Sequence, residues 1–329
     1  MNILIFGCAG FIGINLTYHF LKKKHKVFGV DNLTYASNIN EINLLKKNIN
    51  FKFFKLDIKS KQIQKIINKS QPKWVINLAA ESHVDNSINN PNKFITTNIN
   101  GLYNILLFTE RYYKKLNHLN KKNFKFLQIS TDEVYGSLIR GSANENFRYN
   151  PSSPYSASKA SADMLVNSWN VTYKLPTIIS YSCNNFGPFQ NKEKLIPKVL
   201  LSLKNSKKIP VYGNGMNKRE WIFVKDHILA IEQILKKGKT GNTYNIGSKN
   251  NISNLDLIKK IIKIIKKDNY INLDNKLSHY IEFVKDRKGH DFRYSLNSRK
   301  IKKNLSWIEK YTFEESLEKT IFHYFFYKL

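Results

Sequence analysis

Short apolar runs alternate with amphipathic helical patterns along the first half of the chain. The runs that predict strands are Asn2–Phe6, Lys26–Val30, Phe51–Leu56, Trp74–Leu78, Phe124–Ile129 and Thr177–Tyr181. The amphipathic segments between them predict helices at Phe11–Lys23, Ile39–Lys47, Lys61–Asn68, Pro91–Leu116 and Pro154–Tyr173. Strands that alternate with helices in this way are typical of a parallel sheet, so we predict an α/β fold.

The pattern changes after the sixth predicted strand. Loops rich in Asn, Gly and Pro are predicted at Asn184–Gln190 and Tyr212–Asn217. Further helices are predicted at Leu195–Lys204, Val224–Lys236 and Leu255–Lys267. We therefore predict two units, a first domain of residues 1–182 and a smaller lobe of residues 183–329 that is partly interleaved with it.

Composition narrows the class of protein. The 329 residues are 42% hydrophobic, which is sufficient for a substantial core. No apolar run approaches the roughly 18 residues of a membrane span, and the first residues lack the basic start of a signal peptide. The two cysteines, Cys8 and Cys183, indicate neither a disulfide framework nor a metal site. These features favour a cytoplasmic protein that binds no metal and no membrane.

The formal net charge of +30 raises the question of a nucleic-acid partner. The basic residues are mainly Lys, spread over helices and loops alike, and no nucleic-acid recognition motif accompanies them. A compositional bias toward Lys, Asn and Ile explains this pattern better, so we expect no nucleic-acid binding. A positive field would still attract a substrate that carries phosphate groups.

A glycine-rich turn, Gly7–Gly13, joins the first predicted strand to the first predicted helix. Its G-x-x-G-x-x-G spacing differs from the simplest dinucleotide fingerprint, but such glycines let the backbone approach a pyrophosphate at the helix N-terminus. Asp31 ends the second strand, where a carboxylate accepts hydrogen bonds from ribose hydroxyls and repels a 2′-phosphate. The sequence therefore predicts a site for NAD rather than NADP.

Two further strand ends are candidates for contacts with this cofactor. Leu78, Ala79 and Ala80 close the fourth strand, where small side chains leave room for a ligand. Asp57 and Ile58 close the third strand, where an adenine edge would lie.

Candidate catalytic residues follow the fifth strand and open a later helix. The S-T-D-E-V-Y-G segment places the hydroxyl of Thr131 beside the carboxylates of Asp132 and Glu133. Tyr155 and Lys159 lie four residues apart on one face of a predicted helix, so the ammonium would lower the pKa of the phenol. Together they offer a base for a hydroxyl proton and an acid–base pair for loss of water.

These motifs resemble the extended short-chain dehydrogenase/reductase family and, more narrowly, the nucleoside-diphosphate-glucose 4,6-dehydratases. The resemblance covers almost the whole chain, and S-T-D-E-V-Y-G is its most specific part. Further matching segments are Gly7–Gly13, Leu78–Asp85, Ser153–Ala160, Asn184–Pro188, Glu193–Pro197 and Tyr244–Gly247. The resemblance implies a Rossmann-type doubly wound parallel sheet with a smaller C-terminal α/β substrate-binding lobe.

The resemblance also implies a reaction. It is that of an NAD-dependent lyase that converts dTDP-glucose to dTDP-4-keto-6-deoxyglucose and water, a precursor of deoxysugars such as rhamnose. Tyr155, with Thr131, would remove the 4-hydroxyl proton while hydride passes from C4 to NAD⁺. Glu133 would take the C5 proton and Asp132 would protonate the leaving 6-hydroxyl, after which the hydride returns to C6. Lys159 would support Tyr155 and hold the cofactor.

Two sets of binding residues follow from the same resemblance. The cofactor set is Gly7, Gly10, Phe11, Ile12, Gly13, Asp31, Asn32, Leu33, Thr34, Asp57, Ile58, Leu78, Ala79, Ala80, Ser82, Thr97, Tyr155, Lys159 and Asn185. The nucleotide-sugar set is Ser82, Thr131, Asn184, Glu193, Lys194, Leu195, Pro210, Val211, Tyr212, Arg219, Asn254, Asp286, Arg287 and His290. His83 and Asp85 are interpreted as structural loop residues.

The sequence leaves several alternatives open. The same reaction on UDP-glucose would differ only in the base, and an epimerase or decarboxylase of the same fold would share most of the motifs. A catalytically inactive nucleotide-binding or nucleic-acid-binding protein is disfavoured by the intact Tyr155, Lys159 and paired carboxylates. A homodimer is expected through the helix of Tyr155 and the long helix before it.

Overall fold

A parallel sheet forms the centre of the protein in the computed structural model, which describes residues 1–274 and 276–327. The strands are β1 (Asn2–Phe6), β2 (Lys26–Asp31), β3 (Phe51–Lys55), β4 (Trp74–Asn77), β5 (Lys125–Thr131), β6 (Thr177–Ser182), β7 (Asn184–Phe186), β8 (Ile209–Tyr212), β9 (Lys218–Phe223), β10 (Thr243–Ile246), β11 (Asn251–Ser253) and β12 (Ile281–Val284). Seven of them form the central sheet, in the order β10-β6-β5-β4-β1-β2-β3. The other strands form a three-stranded sheet, β11-β9-β7, and a pair, β12-β8.

Helices flank the central sheet. They are α1 (Phe11–Lys22), α2 (Ile39–Leu45), α3 (Ile63–Ser70), α4 (Val84–Asn89), α5 (Pro91–Phe94), α6 (Leu102–Lys114), α7 (His118–Asn123), α8 (Pro154–Tyr173), α9 (Leu195–Lys204), α10 (Val224–Lys237), α11 (Asn254–Lys267), α12 (Arg299–Leu305) and α13 (Phe313–Phe326). In the described part of the chain, none combines the length and the apolar character that a membrane crossing requires.

The six predicted strands are confirmed, with ends that shift by one or two residues. They were recognisable because strands of a parallel sheet covered on both faces are continuous apolar runs. All four residues of β4 are buried, and so are all six of β6. The predicted α/β fold with a doubly wound parallel sheet is therefore correct.

The structure corrects two local predictions. A π-helical segment, Ile95–Gly101, divides the helix predicted at Pro91–Leu116. Within it, Asn98 donates to the carbonyl oxygen of Glu81 at 3.0 Å and accepts from the Glu81 N–H at 2.9 Å. These two hydrogen bonds hold the π-helical segment against the loop that follows β4. The loop predicted at Asn184–Gln190 begins with strand β7, which is too short to leave a pattern of its own.

The second half of the chain contributes to the central sheet. Strand β10 pairs in parallel with β6, so that Thr243 lies beside Ile179. The small sheet and the β12-β8 pair are built wholly from residues after 183. This arrangement agrees with an interleaved lobe, and the division at residue 182 stays a prediction.

A buried charge cluster joins helix α10 to helix α1, and it generates a testable prediction. Two lysines, Lys23 and Lys236, each place Nζ 2.6 Å from Glu232 Oε1, and His19 Nε2 lies 2.8 Å from Oε2. Burial raises the pKa of Glu232, but hydrogen bonds from these three partners outweigh it and lower the pKa to about 2. Because this lies below the unfolded-state value, the stabilisation is complete above about pH 4.5 and is lost as pH falls toward 2.

We expect Glu232→Gln to lower the free energy of unfolding by about 1–3 kcal/mol at pH 7, because it leaves the cations of α1 and α10 without their anion. Urea denaturation at pH 7 and pH 3 measures this, and the difference from the wild type should shrink at pH 3. Glu318→Gln is the control, since its 3.7 Å contact with Lys267 is exposed and should matter little. An equal loss at both pH values would contradict the account.

Candidate active site

A cavity of about 540 Å³ opens at the carboxyl ends of the central strands. Residues that follow β1, β2, β4 and β5 line it, among them Gly7, Asn32, Ala79 and Thr131. Residues of the second lobe complete the lining from the opposite side, as Arg219 does. Ligands of open α/β sheets bind at this edge, so the fold itself identifies the cavity as the candidate site.

The glycine-rich turn brings backbone, without side chains, to one wall of this cavity. Gly7 has a φ of +81°, and a Cβ on it would lie 2.6 Å from the backbone nitrogen of Ala79. A Cβ on Gly13 would lie 2.1 Å from the carbonyl oxygen of Gly7, so neither position accepts a larger residue. The first turn of α1 contains no acidic residue, and its N-cap residue, Gly10, has no side chain to accept from the helix N–H groups. The turn therefore fits the pyrophosphate of a dinucleotide.

Asp31 lies where the sequence predicts it, at the end of β2 and in the wall of the cavity. Its carboxylate accepts hydrogen bonds from the N–H groups of Ala9 at 3.0 Å and Leu33 at 2.8 Å, and from the Ser37 hydroxyl at 3.1 Å. Burial raises the pKa of Asp31 above its usual value, although these three hydrogen bonds oppose the shift. The carboxylate thus holds the glycine-rich turn in place besides facing the cavity, a second role that spacing alone did not indicate.

The paired carboxylates follow β5 in a single 3₁₀ turn, Asp132–Tyr135. The Thr131 hydroxyl caps this turn by accepting from the Glu133 N–H at 3.3 Å and donates to Asp132 Oδ1 at 3.3 Å. Asp132 Oδ2 is buried and has no hydrogen-bond partner among the residues that the structure describes. A buried oxygen with open lone pairs, directed at no protein group, fits a site that receives a polar ligand.

Burial raises the pKa of both acids, and neighbouring charges separate their proton affinities. Burial raises the pKa of Asp132 well above its usual range, the charges of Glu133 and Glu220 raise it further, and Arg219 lowers it. Burial also raises the pKa of Glu133, but there the cations Arg219 and Lys194 oppose it. The repulsion expected between the two carboxylates is present, with burial as the larger cause.

Tyr155 and Lys159 both reach the cavity from the first two turns of α8. A capping box on Ser153 fixes the start of this helix, and the Tyr155 ring packs edge-on against Phe94 with 6.2 Å between centroids. Lys159 Nζ donates to the carbonyl oxygen of Ile129 at 2.7 Å. The helix thus presents the two side chains on one face, as predicted.

One prediction about this pair is wrong in direction. Burial, and then the charge of Glu133, raise the pKa of Tyr155 above its usual range, and only the contact with Thr131 lowers it appreciably. Lys159 contributes little because its ammonium is turned toward Ile129, and burial lowers its own pKa. The pKa of Tyr155 therefore depends on its burial more than on its helical spacing from Lys159.

The second lobe brings cations and amides to the same cavity. Lys194 Nζ donates to the carbonyl oxygen of Ser82 at 3.2 Å, and Arg219 lies over the Tyr294 ring at 4.6 Å. Within the described part of the chain, the side-chain oxygens of Asn185 and Asn254 are buried without a hydrogen-bond partner. These groups suit an elongated ligand that carries both phosphate and hydroxyl groups.

The cavity gathers nearly all the predicted site residues, and four lie outside its lining. Those four are Leu33, Asp57, Val211 and Asp286. Leu33 contributes its backbone to Asp31 instead, and Asp57 forms an exposed ion pair with Lys59. Asp286 accepts a hydrogen bond from His290 at 2.6 Å, and so contacts a lining residue without lining the cavity itself.

Sequence reasoning missed several residues of the site. Tyr294 and Asp291 line the cavity although no motif contains them, and His83 and Asp85 line it although they were interpreted as structural. Asp163 is fully buried behind Lys159, where it accepts from the Ser130 hydroxyl at 2.5 Å and where burial raises its pKa to about 7. Its place four residues after Lys159 on α8 is a spacing that could have identified it.

Comparison with known proteins agrees with this geometry. A family model described as GDP-mannose 4,6 dehydratase matches residues 4–320. The chain is 43% identical to a dTDP-glucose 4,6-dehydratase of Escherichia coli, over 98% of this chain and 93% of the relative. It is 42% identical to that of Haemophilus influenzae, over 99% of this chain and 98% of the relative.

Solved structures show the same likeness. A dTDP-glucose 4,6-dehydratase from Streptomyces venezuelae, determined with NAD and dTDP bound, is similar with a TM-score of 0.89 and 32% identity, over 98% of this chain and 96% of the other. The match of the family model and the identity to curated relatives both extend over nearly the whole chain. The chain therefore belongs to the nucleotide-sugar 4,6-dehydratase family.

Proposed function

We propose that this protein is an NAD-dependent lyase that converts dTDP-glucose to dTDP-4-keto-6-deoxyglucose and water. The observation that carries the proposal is the Thr131-Asp132-Glu133 turn, which lies in one cavity with Tyr155 and the glycine-rich turn. An oxidoreductase that only moves hydride needs one base, whereas loss of water also needs an acid and a second base. The cavity supplies all three.

The cofactor fits the wall of the cavity that the first domain forms together with Asn185. The turn Gly7–Gly13 would hold the pyrophosphate, Asp31 the ribose, and Thr97 and Asn185 the remaining polar groups. Bound NAD⁺ supplies a hydride acceptor for C4 of the glucose and, once reduced, a hydride donor for C6. The unpartnered Asn185 oxygen and the Cβ-free turn are the features of this chain that fit it.

Tyr155 and Thr131 act on the 4-hydroxyl of the sugar. Thr131 would hydrogen-bond the oxygen, and Tyr155 would take its proton. Because burial holds the phenol in its protonated form, the phenolate needs a cation beside it. Lys159, one helical turn away on α8, is the candidate for that cation, provided that its Nζ exchanges the Ile129 carbonyl oxygen, 2.7 Å away, for the phenolate.

The two carboxylates carry out the loss of water. Asp132, whose pKa is raised well above its usual range, retains a proton that it can give to the departing 6-hydroxyl. Glu133, beside Arg219 and Lys194, is the better carboxylate base and would take the proton from C5. Because their environments separate their pKa values, the two residues can serve as an acid and a base within one turn of the chain.

The nucleotide end of the substrate would meet the second lobe. Lys194, Arg219 and Arg287 are candidates for the diphosphate, because guanidinium and ammonium groups pair with phosphate oxygens. The remaining space, toward the base and sugar, is lined by residues of the second lobe, namely Asn184, Glu193, Leu195, Pro210, Tyr212 and Asn254. UDP-glucose is the alternative substrate, since the thymine methyl is worth only about 1–3 kcal/mol of discrimination.

Substitution of either carboxylate should separate water loss from oxidation. We expect Asp132→Asn and Glu133→Gln each to lower formation of the 4-keto-6-deoxy product from dTDP-glucose by about 100-fold or more, because each removes one proton-transfer group. Oxidation at C4 should partly survive, since Tyr155 is unchanged. Absorbance of the product in alkali and of NADH in single turnover measure the two steps.

Glu314→Gln serves as the control, because Glu314 is exposed on α13 and should leave turnover unchanged. Wild-type turnover of dTDP-glucose and UDP-glucose side by side identifies the base. Full formation of the 4-keto-6-deoxy product by both carboxylate variants would contradict the roles given to Asp132 and Glu133. Wild-type turnover without this product would favour an epimerase or decarboxylase, and no turnover of either substrate would refute the dehydratase.

We also infer a cytoplasmic homodimer. Both cysteines, Cys8 and Cys183, are free thiols, which suits a reducing compartment. Large apolar side chains are exposed along α8, in the π-helical segment before α6 and at the start of α6, including Ile95 (49% exposed), Tyr103 (47%), Met164 (60%) and Val171 (68%). Apolar side chains grouped on neighbouring helices are typical of an interface.

Light scattering should therefore give twice the mass of one chain. Met164→Lys should produce monomers, because it places a charge in the middle of the apolar face of α8. Phe322→Lys, which replaces an equally exposed side chain on α13, should leave the dimer intact. A monomeric wild type would contradict the dimer.

A further inference from the structure

An ion pair at the rim of the cavity joins two segments that lie 202 residues apart in the sequence. Arg287 Nε lies 2.9 Å from Asp85 Oδ1, and Arg287 Nη2 donates to Asp85 Oδ2 at 3.1 Å. The side chains are 22% and 28% exposed, and both residues line the cavity. Two-point contact and partial shielding from water make this pair stronger than an ordinary surface salt bridge.

The contact with Asp85 engages one edge of the guanidinium group. Arginine has five N–H donors in a rigid planar fork. Asp85 accepts one N–H of Nη2 and places its other oxygen 2.9 Å from Nε, so the two points of contact are one hydrogen bond and one close ion contact. The remaining N–H groups, on Nη1 and Nη2, form a second fork that Asp85 does not use. The Tyr212 ring lies 5.2 Å from the Arg287 Cζ and supports the guanidinium plane from another side.

The segment that carries Asp85 holds a second cation as well. Lys194 Nζ donates to the carbonyl oxygen of Ser82, three residues before Asp85. His83 Nε2 lies 3.9 Å from Glu193 Oε2, the neighbour of Lys194. The short segment after β4 therefore fixes Lys194 and Arg287, two of the three cations proposed for the diphosphate.

We propose that Asp85 is a positioning residue for the substrate diphosphate. It holds the Nε edge of Arg287, so that the second fork of the guanidinium is oriented before a ligand arrives. Ordering a long side chain in advance removes an entropic cost from binding. The inference rests on the proposed function, because it takes Arg287 as a ligand of the diphosphate.

Charge alone would give the opposite result, which makes the proposal easy to test. A carboxylate near a diphosphate repels it, so removal of the charge of Asp85 would by itself tighten binding. Positioning of Arg287 instead requires that binding weaken. An Asn side chain offers one acceptor oxygen and an NH₂ group that cannot accept from the guanidinium, so Asp85→Asn removes the two-point contact.

The experiment is calorimetric titration of the NAD-loaded protein with dTDP and with UDP. We expect Asp85→Asn to raise Kd about three- to tenfold, and to raise KM for dTDP-glucose by the same factor with kcat within about twofold of the wild type. Asp85→Glu, which keeps the charge, should recover part of the affinity. Glu309→Gln is the control, because it removes a similarly shielded carboxylate, 3.2 Å from Lys302.

A double-mutant cycle connects the effect to Arg287. In an Arg287→Lys background, which cannot form the two-point contact, Asp85→Asn should change Kd less than twofold. Asp85→Ser is measured in parallel, with thermal melting of each variant, so that a folding defect in one does not decide the result. Unchanged or tighter binding by the Asp85 variants, or an equal loss in the Arg287→Lys background, would overturn the proposal. A wild type that binds neither dTDP nor UDP would refute the proposed function itself.

Discussion

Two adjacent carboxylates in one buried turn impose the constraint on which the rest of this site depends. Burial raises the pKa of both Asp132 and Glu133, so ionising both is costly and one of them retains a proton. The cations of the second lobe decide which one, because Arg219 and Lys194 favour the charged form of Glu133. The separation of their pKa values thus arises from the position of the two residues relative to their neighbours, more than from their chemical identity.

The parallel sheet supplies the positions. Because parallel strands end at the same edge, residues after β1, β2, β4 and β5 converge on one cavity although the sequence separates them widely. Contacts between the lobes close this cavity from the other side. Asp85 and Arg287 form one of these contacts, and Lys194 with Ser82 forms another. The second lobe therefore completes the site as well as covering the sheet.

Strand ends and local motifs were predictable from the sequence, and interactions between distant segments were not. The six buried strands appear as continuous apolar runs, and the Tyr155–Lys159 spacing places both side chains on one helix face. The direction of the Tyr155 pKa was wrong because spacing says nothing about burial or about the Ile129 carbonyl that holds Lys159. The contact of Asp85 with Arg287 was not predicted for a similar reason, since the two residues lie 202 positions apart. The π-helical segment at Ile95–Gly101 depends on the contacts of Asn98 with Glu81, which no periodicity reveals.

The central claim is that one cavity oxidises C4, removes water across C5 and C6, and reduces C6 without release of the reducing equivalent. Conversion of dTDP-glucose labelled with deuterium at C4, followed by NMR of the product, tests this claim directly. The account predicts deuterium at C6 of the 4-keto-6-deoxy product and solvent hydrogen at C5. A 4-keto-6-deoxy product without deuterium at C6, with the label lost to solvent, would contradict it.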